Sequence, residues 1–442
     1  MNTPVFDFVS RYIDAGMARL HVPGHKGVGT LGCEARDITE IAGAGALGEP
    51  AGIIAESEGN AAALFGAAAT FYACEGSSQC IRAMLHLALA NRPPASRRPV
   101  ALAARNAHKS FVYAAALCDF DVEWLAPAGG AGSLCACPVS PAALAARLDG
   151  MADAPFCVYV TSPDYLGGMQ DIRGLSAVCR ARGVPLIVDN AHGAYLRFLP
   201  ESLHPLDLGA DLCCDSAHKT LPVLTGGAYL HVSKGADARY IEGARAALAL
   251  FGSTSPSWLI LQSLDLCNAR LAGEFPHRLR DCAAKVAALR RALAGRGLCA
   301  PAGEPLKLTL TGDGPALAAR LRVEGVEPEY TDRGHVVLMF APDTPPEALR
   351  RVERALSGVA AAPAPPAVPP AAPPLERAMS IRQAVFAPSE TVPVREAAGR
   401  VCAAPTVACP PAIPIAVSGE VIAPAAVRAF LENGIDRVAV VR

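Results

Sequence analysis

The stretches LIVDNAHGAY at 186–195 and CCDSAHKTLPVLTGG at 213–227 decide the fold class of this 442-residue sequence. Each opens on a short apolar run and closes on a polar turn, the pattern of a strand covered on both faces in a parallel sheet. Outward from them, between about 97 and 235, similar runs alternate with helix-like stretches, as strands joined by crossover helices do. The expected strands are Pro99 to Ala103, Val122 to Leu125, Phe156 to Thr161, Pro185 to Asp189, Leu212 to Asp215 and Ala228 to Val232. Ser140 and Pro141 supply a cap and a first-turn proline for an Ala-rich helix to Leu148, and a helix from Gly174 to Arg182 ends at Gly183. An α/β architecture built on a mostly parallel sheet follows.

Beyond this block, an arginine-rich helix around Leu279 to Leu293 and apolar runs at Leu306 to Leu310 and Val336 to Phe340 indicate a smaller α+β domain. The segment VAAAPAPPAVPPAAPPLERA at 359–378 favours extended polyproline over a packed element. The expected division is therefore an N-terminal arm and major domain over 1–268, a small domain over 269–358, a linker over 359–378 and a C-terminal domain over 379–442. A chain that is 52% hydrophobic and 18% charged must fold rather than stay solvated. Forty Lys plus Arg against forty-one Asp plus Glu leave no basic excess for nucleic acid. Fifteen scattered cysteines, odd in number, read as reduced thiols and place the protein in the cytoplasm. No signal peptide or membrane span is expected, because the longest uncharged stretches are broken by polar residues, glycines or prolines.

The chemistry sits in the opening stretches. Asp189 ends one strand and Lys219 lies just past another, where open α/β sheets place their ligands. A carboxylate and a lysine converging there suit pyridoxal phosphate: the acid keeps the ring nitrogen protonated and the amine holds the aldehyde. Alone, Asp189 could be a helix cap and Lys219 a solvated surface residue. Ser216 adds a hydroxyl where a phosphate would lie, and His218 adds a titratable group beside the amine. Upstream, Gly76, Ser77 and Ser78 open a helix whose N-terminus would attract an anion, although an ordinary cap has the same appearance. His108 and His192 are candidates for stacking on a cofactor ring and for reaching one of its substituents. His21 and His25 lie in a Pro/Gly loop without further ligands, and no metal is assigned.

The sequence resembles the bacterial ornithine/lysine/arginine decarboxylases, fold-type-I pyridoxal-phosphate enzymes, in their short form. The resemblance runs through HVPGHKG at 21–27, DITE at 37–40, EGSS at 75–78, RNAHKS at 105–110, TSPDYLG at 161–167, VDNAHGA at 188–194, SAHKTLPVLTGGAYLHV at 216–232, STSPSW at 253–258 and PPAIPIAVSGEVI at 410–422. It implies that Lys219 carries the cofactor, Asp189 pairs with its ring nitrogen and His108 stacks on the ring. Ser77, Ser78 and Ser216 would bind the phosphate, His192 would lie near the phenolic oxygen and His218 near the reacting carbon. It further implies a homodimer in which the loop of Ser253, Thr254 and Ser255 reaches the partner's site. Glu75, Asn190, Cys409, Ala412 and Ser418 depart from the usual pattern.

The expected reaction is decarboxylation of lysine, arginine or ornithine to an amine and CO2, with Lys219, His218 and Asp189 as the catalytic residues. By charge alone, Glu420 or Glu75 would meet the substrate's distal cation. The same cofactor groups would also serve transamination or side-chain lysis, and a degenerate, non-catalytic member of the family is the remaining alternative.

Overall fold

The computed structural model describes residues 1–94, 97–127, 134–300, 302–360, 375–404 and 414–442. Most of the Pro/Ala-rich stretch, together with Cys409 and Ala412, lies outside the described residues. Seven strands, β1 (Ala69–Ala73), β2 (Val100–Ala104), β3 (Asp121–Leu125), β4 (Cys157–Thr161), β5 (Leu186–Asp189), β6 (Leu212–Asp215) and β7 (Ala228–Val232), form one sheet. Their order is β1-β7-β6-β5-β4-β2-β3.

The five strands from β2 to β6 run parallel, and their bounds fall within a residue or so of those read from the sequence. β7 reverses direction against β6, and β1 pairs antiparallel with β7. The connection into β7 explains the reversal: it holds only the single-turn helix Ala217–Thr220, with no crossover helix to carry the chain back. β1 was legible only as the approach to the Gly-Ser-Ser turn.

Period-two alternation assigns the faces of the sheet. Val158, Val160, Leu186 and Val188 pack with Leu144 and Leu175 of the helices Pro141–Asp149 and Ile172–Arg180. Tyr159 and Ile187 point the other way, into a core with Met84 of the helix Gly76–Ala90 and Phe111 of the helix Lys109–Cys118. The expected cap is present, since Ser140 Oγ accepts from Ala143 N at 3.1 Å. The next helix begins two residues earlier than expected because Asp171, whose carboxylate accepts from Gly174 N at 2.9 Å, caps its N-terminus and sets its start.

After the helices Trp258–Ala272 and Phe275–Ala294 comes an antiparallel sheet of β8 (Lys307–Thr311), β9 (Tyr330–Thr331) and β10 (His335–Met339) in the order β8-β10-β9. A last pair, β11 (Ser389–Pro393) and β12 (Arg437–Val441), is antiparallel and covers a small core around Phe430. Cys80, Cys157, Cys213 and Cys214 are buried among apolar side chains and act as small hydrophobes. Among the described residues no helix is long and apolar enough to cross a membrane.

Leu186 is fully buried in β5, in the middle of the sheet. Leu186→Ala should therefore cost about 2–5 kcal/mol of stability. Urea unfolding checks this, and a loss below about 1 kcal/mol would place the side chain outside the core.

Candidate active site

The carboxyl ends of β5 and β6 form the floor of a cleft. Asp189, the last residue of β5, is 2% exposed; its Oδ2 accepts from the Tyr159 hydroxyl at 3.1 Å and its Oδ1 from Ala191 N at 3.1 Å. These donors fix the plane of the carboxylate. Thr161 is its register partner on β4 and holds a buried hydroxyl with no hydrogen-bond partner among the described residues.

Past β6, the single-turn helix lifts Lys219 into the cleft, where its Nζ lies 3.1 Å from His192 Nε2. The lysine side chain is exposed to the cleft, yet crowding by protein atoms draws its pKa below the ordinary value. Asp189 and Glu329 oppose that shift. His218 Nδ1 lies 3.0 Å from the Gly227 carbonyl, an arrangement that places the proton on Nδ1 and leaves Nε2 unprotonated. Burial lowers the pKa of His218, and the charge of Lys219 adds to the effect.

The hydroxyls meet at one helix end. Ser216 Oγ donates to Ser77 Oγ at 2.8 Å, and Ser110 Oγ donates to Ser78 Oγ at 2.8 Å, all at the N-terminus of the helix Gly76–Ala90. Gly76 has φ +71°, and its N–H donates to the Gly226 carbonyl at 2.7 Å. Gly226 has φ +100°, and a Cβ there would lie 2.7 Å from the Cys74 carbonyl, so only glycine permits this approach. Hydroxyls, oriented N–H groups and a helix N-terminus form a donor set that fits a phosphate. His108 caps the neighbouring helix, its Nδ1 accepting from Ser110 N at 3.2 Å. Its pKa is drawn down by burial, with Asp189 opposing the shift and Lys219 adding to it, so its ring lies within the field of both.

The structure brings together Gly76, Ser77, Ser78, His108, Asp189, His192, Ser216, His218 and Lys219. The two proposed substrate carboxylates differ in their surroundings. Glu420 gives both oxygens to Arg105 at 2.9 Å, and Glu75 accepts from Ser253 N. Both oxygens of buried Glu420 are thus engaged within the protein, whereas Glu75 is exposed and commits one oxygen to a backbone N–H. Ser253 thus abuts the phosphate turn of its own chain, and Ser255 N donates to Ser253 Oγ at 3.1 Å, while Thr254 is exposed.

Several site residues were missed. Lys307 on β8 is 2% exposed, donates to the Asp164 carbonyl at 3.0 Å, and lies 3.5 Å from His192 Nδ1 and 3.8 Å from Glu304. Its signal was a lone charge inside the apolar run LKLTL. Buried between two amines, His192 has its pKa pushed well below the usual value, first by desolvation and then by Lys307 and Lys219. The Tyr165 ring stands edge-on to His192 at 5.2 Å, and its hydroxyl donates to Glu329 at 2.8 Å.

Directly behind the floor, Asp215 accepts from His204 Nε2 at 3.1 Å, His231 Nε2 at 3.2 Å and Asn190 Nδ2 at 2.6 Å. The two imidazoles and the carboxylate lie close enough to hold a metal ion. However, Leu206 N donates to His204 Nδ1 at 3.4 Å, which puts the His204 proton on Nε2, toward Asp215. The cluster is thus a buried hydrogen-bond network that anchors the turn leading to Lys219.

The family model described as Orn/Lys/Arg decarboxylase, major domain, matches residues 3–299. The chain belongs to this family. An arginine decarboxylase of Bacillus subtilis is 26% identical over 95% of this chain and 91% of its own, and the uncharacterized protein YaaO of the same organism is 29% identical over 77% and 74%. The structure of the constitutive lysine decarboxylase of Escherichia coli superposes with a TM-score of 0.76 at 18% identity, covering 100% of this chain and 82% of that one. The shared fold is that of fold-type-I pyridoxal-phosphate enzymes, and membership of the family implies dependence on that cofactor.

Burial alone would raise the Asp215 carboxyl, but His204 and then His231 outweigh it and hold it well below the usual range. Burial also lowers the pKa of His231. A depressed Asp stabilises the fold above about pH 4 and loses that contribution as pH falls, while a depressed His leaves the unfolded chain binding protons the fold refuses below about pH 6.5. Stability should therefore drop on acidification, and His231→Gln should flatten the slope between about pH 6.5 and 4.5 in urea unfolding. An unaltered slope would remove His231 from this role.

Proposed function

We propose that this protein decarboxylates a basic L-amino acid, lysine, arginine or ornithine, to its amine and CO2, with pyridoxal phosphate held in the cleft between β5 and β6. The observation that carries this reading is the convergence of Asp189, Lys219 and a hydroxyl-lined helix N-terminus on one cleft in a chain of the decarboxylase family. Ser77, Ser78, Ser110 and Ser216 would hold the phosphate, His108 the ring face and Asp189 the ring nitrogen. When bound, the cofactor supplies an electron sink for the bond lost with CO2.

The chain's own groups handle the protons. Asp189, oriented by Tyr159, would face the ring nitrogen and pair with its proton. Lys219 supplies the amine, and crowding around it favours the neutral, nucleophilic form. His218 Nε2, bare because Nδ1 faces Gly227, is placed beside Lys219 to hold or deliver a proton at the α-carbon. Neutral His192 separates Lys219 from Lys307 and keeps two amines from repelling across the cleft.

For the distal cation we assign Glu329. Its carboxylate is oriented by the Tyr165 hydroxyl, the Tyr165 ring stands edge-on to His192, and its field reaches Lys219 and Lys307. We also assign a homodimer, with the Ser253–Ser255 loop at the subunit boundary, working in the cytoplasm.

Purified protein loaded with pyridoxal phosphate should release CO2 and a diamine or agmatine from at least one of the three amino acids, and Lys219→Ala should abolish release. A keto acid product, or turnover by Lys219→Ala, would overturn the assignment. Glu329→Gln should raise KM for the preferred substrate by about tenfold or more, the loss of one charge-assisted contact, with kcat changed less. An unchanged KM would return the distal subsite to another residue.

A further inference from the structure

The C-terminal segment is joined to the cofactor site by an ion pair from which water is almost entirely excluded. Arg105 and Glu420 are 3% and 5% exposed, and each Nη meets its own carboxylate oxygen at 2.9 Å. Two charges withdrawn from water at this depth add little net stability even in good geometry, so their effect is to fix position. We propose that Arg105 and Glu420 form a positioning clamp through which the C-terminal segment sets the His108 loop against the cofactor.

Both ends of the clamp are stiff. Arg105 directly follows β2, and three residues later His108 caps the helix Lys109–Cys118; Ser110, two residues on, donates to Ser78 in the Gly-Ser-Ser turn. On the other side, Glu420 Oε2 also accepts from Val417 N at 2.9 Å. Gly419, at φ +91°, packs so tightly that a Cβ would lie 2.4 Å from the Met379 carbonyl. A shift of this turn is therefore transmitted to Arg105 rather than absorbed.

The same segment grips the far end of that helix. Arg382 Nη1 donates to the Ala116 carbonyl at 2.8 Å, where the helix dipole favours a cation. Ile381 and Val417 are buried in the core that holds Phe111. The helix headed by His108 is thus held at its N-terminal approach by Glu420 and at its C-terminus by Arg382.

The inference rests on the reading that this cleft holds pyridoxal phosphate, and the wild-type titration tests that reading separately. Apoprotein is titrated with pyridoxal phosphate, following absorbance and visible circular dichroism, for the wild type, Glu420→Gln and the double variant Arg105→Met with Glu420→Met. Glu420→Gln leaves a buried guanidinium unpaired and should lower both Tm and cofactor affinity. The double variant removes both charges and should keep a near-wild-type Tm, yet bind the cofactor on the order of tenfold or more weakly, with an altered dichroism band. A double variant that binds with wild-type affinity and dichroism overturns the clamp. Failure of the wild type to bind the cofactor overturns the underlying reading of the cleft.

Discussion

Two neighbouring parallel strands that end almost level impose the constraint on which the site depends. Asp189 lies opposite Cys214 in the register of β5 and β6, so a single helical turn beyond β6 suffices to bring Lys219 over the same cleft. Residues thirty positions apart in sequence become facing groups because backbone hydrogen bonds, rather than side-chain contacts, set their separation. The Asp215 network secures this arrangement from behind. Its carboxylate binds Asn190, the residue after Asp189, and itself precedes Ser216, so it ties the ends of both strands to one buried charge.

Much of the arrangement was legible in the sequence because it is local. LIVD and LCCD are apolar runs with polar ends, and their strand bounds follow from that pattern alone. Ser77, Ser78, Ser216 and Lys219 could be placed because turns and helix starts have a short-range chemical signature. The remainder depends on contacts distant in sequence. Nothing near Glu420 indicates that Arg105, 315 positions away, takes both its oxygens. Its charge suggested a ligand for the substrate, whereas its burial makes it a ligand for the protein. Lys307 was hidden for a related reason: an amphipathic strand tolerates a lysine on its wet face, and only the docking of β8 against Asp164 and His192 makes that face dry. The reversal of β7 was missed because direction depends on what the connection lacks, and an apolar strand reads the same both ways.

Charge around the cleft is arranged by alternation. Along the line from Asp189 through Lys219, His192 and Lys307 to Glu304, an acid stands at each end, with two amines separated by an imidazole whose surroundings keep it neutral. A proton on His192 would add a charge beside two amines whose own charged forms burial already disfavours. The low pKa of that histidine keeps a further charge out of the space between Lys219, on the turn after β6, and Lys307 of β8.

The hydroxyl cradle comes from three separate segments: Ser77 and Ser78 at one helix start, Ser110 at another, and Ser216 after β6. No partial unit of the chain holds the complete set, so a phosphorylated coenzyme finds its anchor only in the finished fold and has no counterpart to grip in the denatured ensemble. By mass action, free coenzyme above its dissociation constant would deepen the native basin, by about 2.7 kcal/mol at a hundredfold excess over that constant. On the proposed reading of the cleft, loading with the coenzyme thereby raises resistance to unfolding as well as enabling turnover.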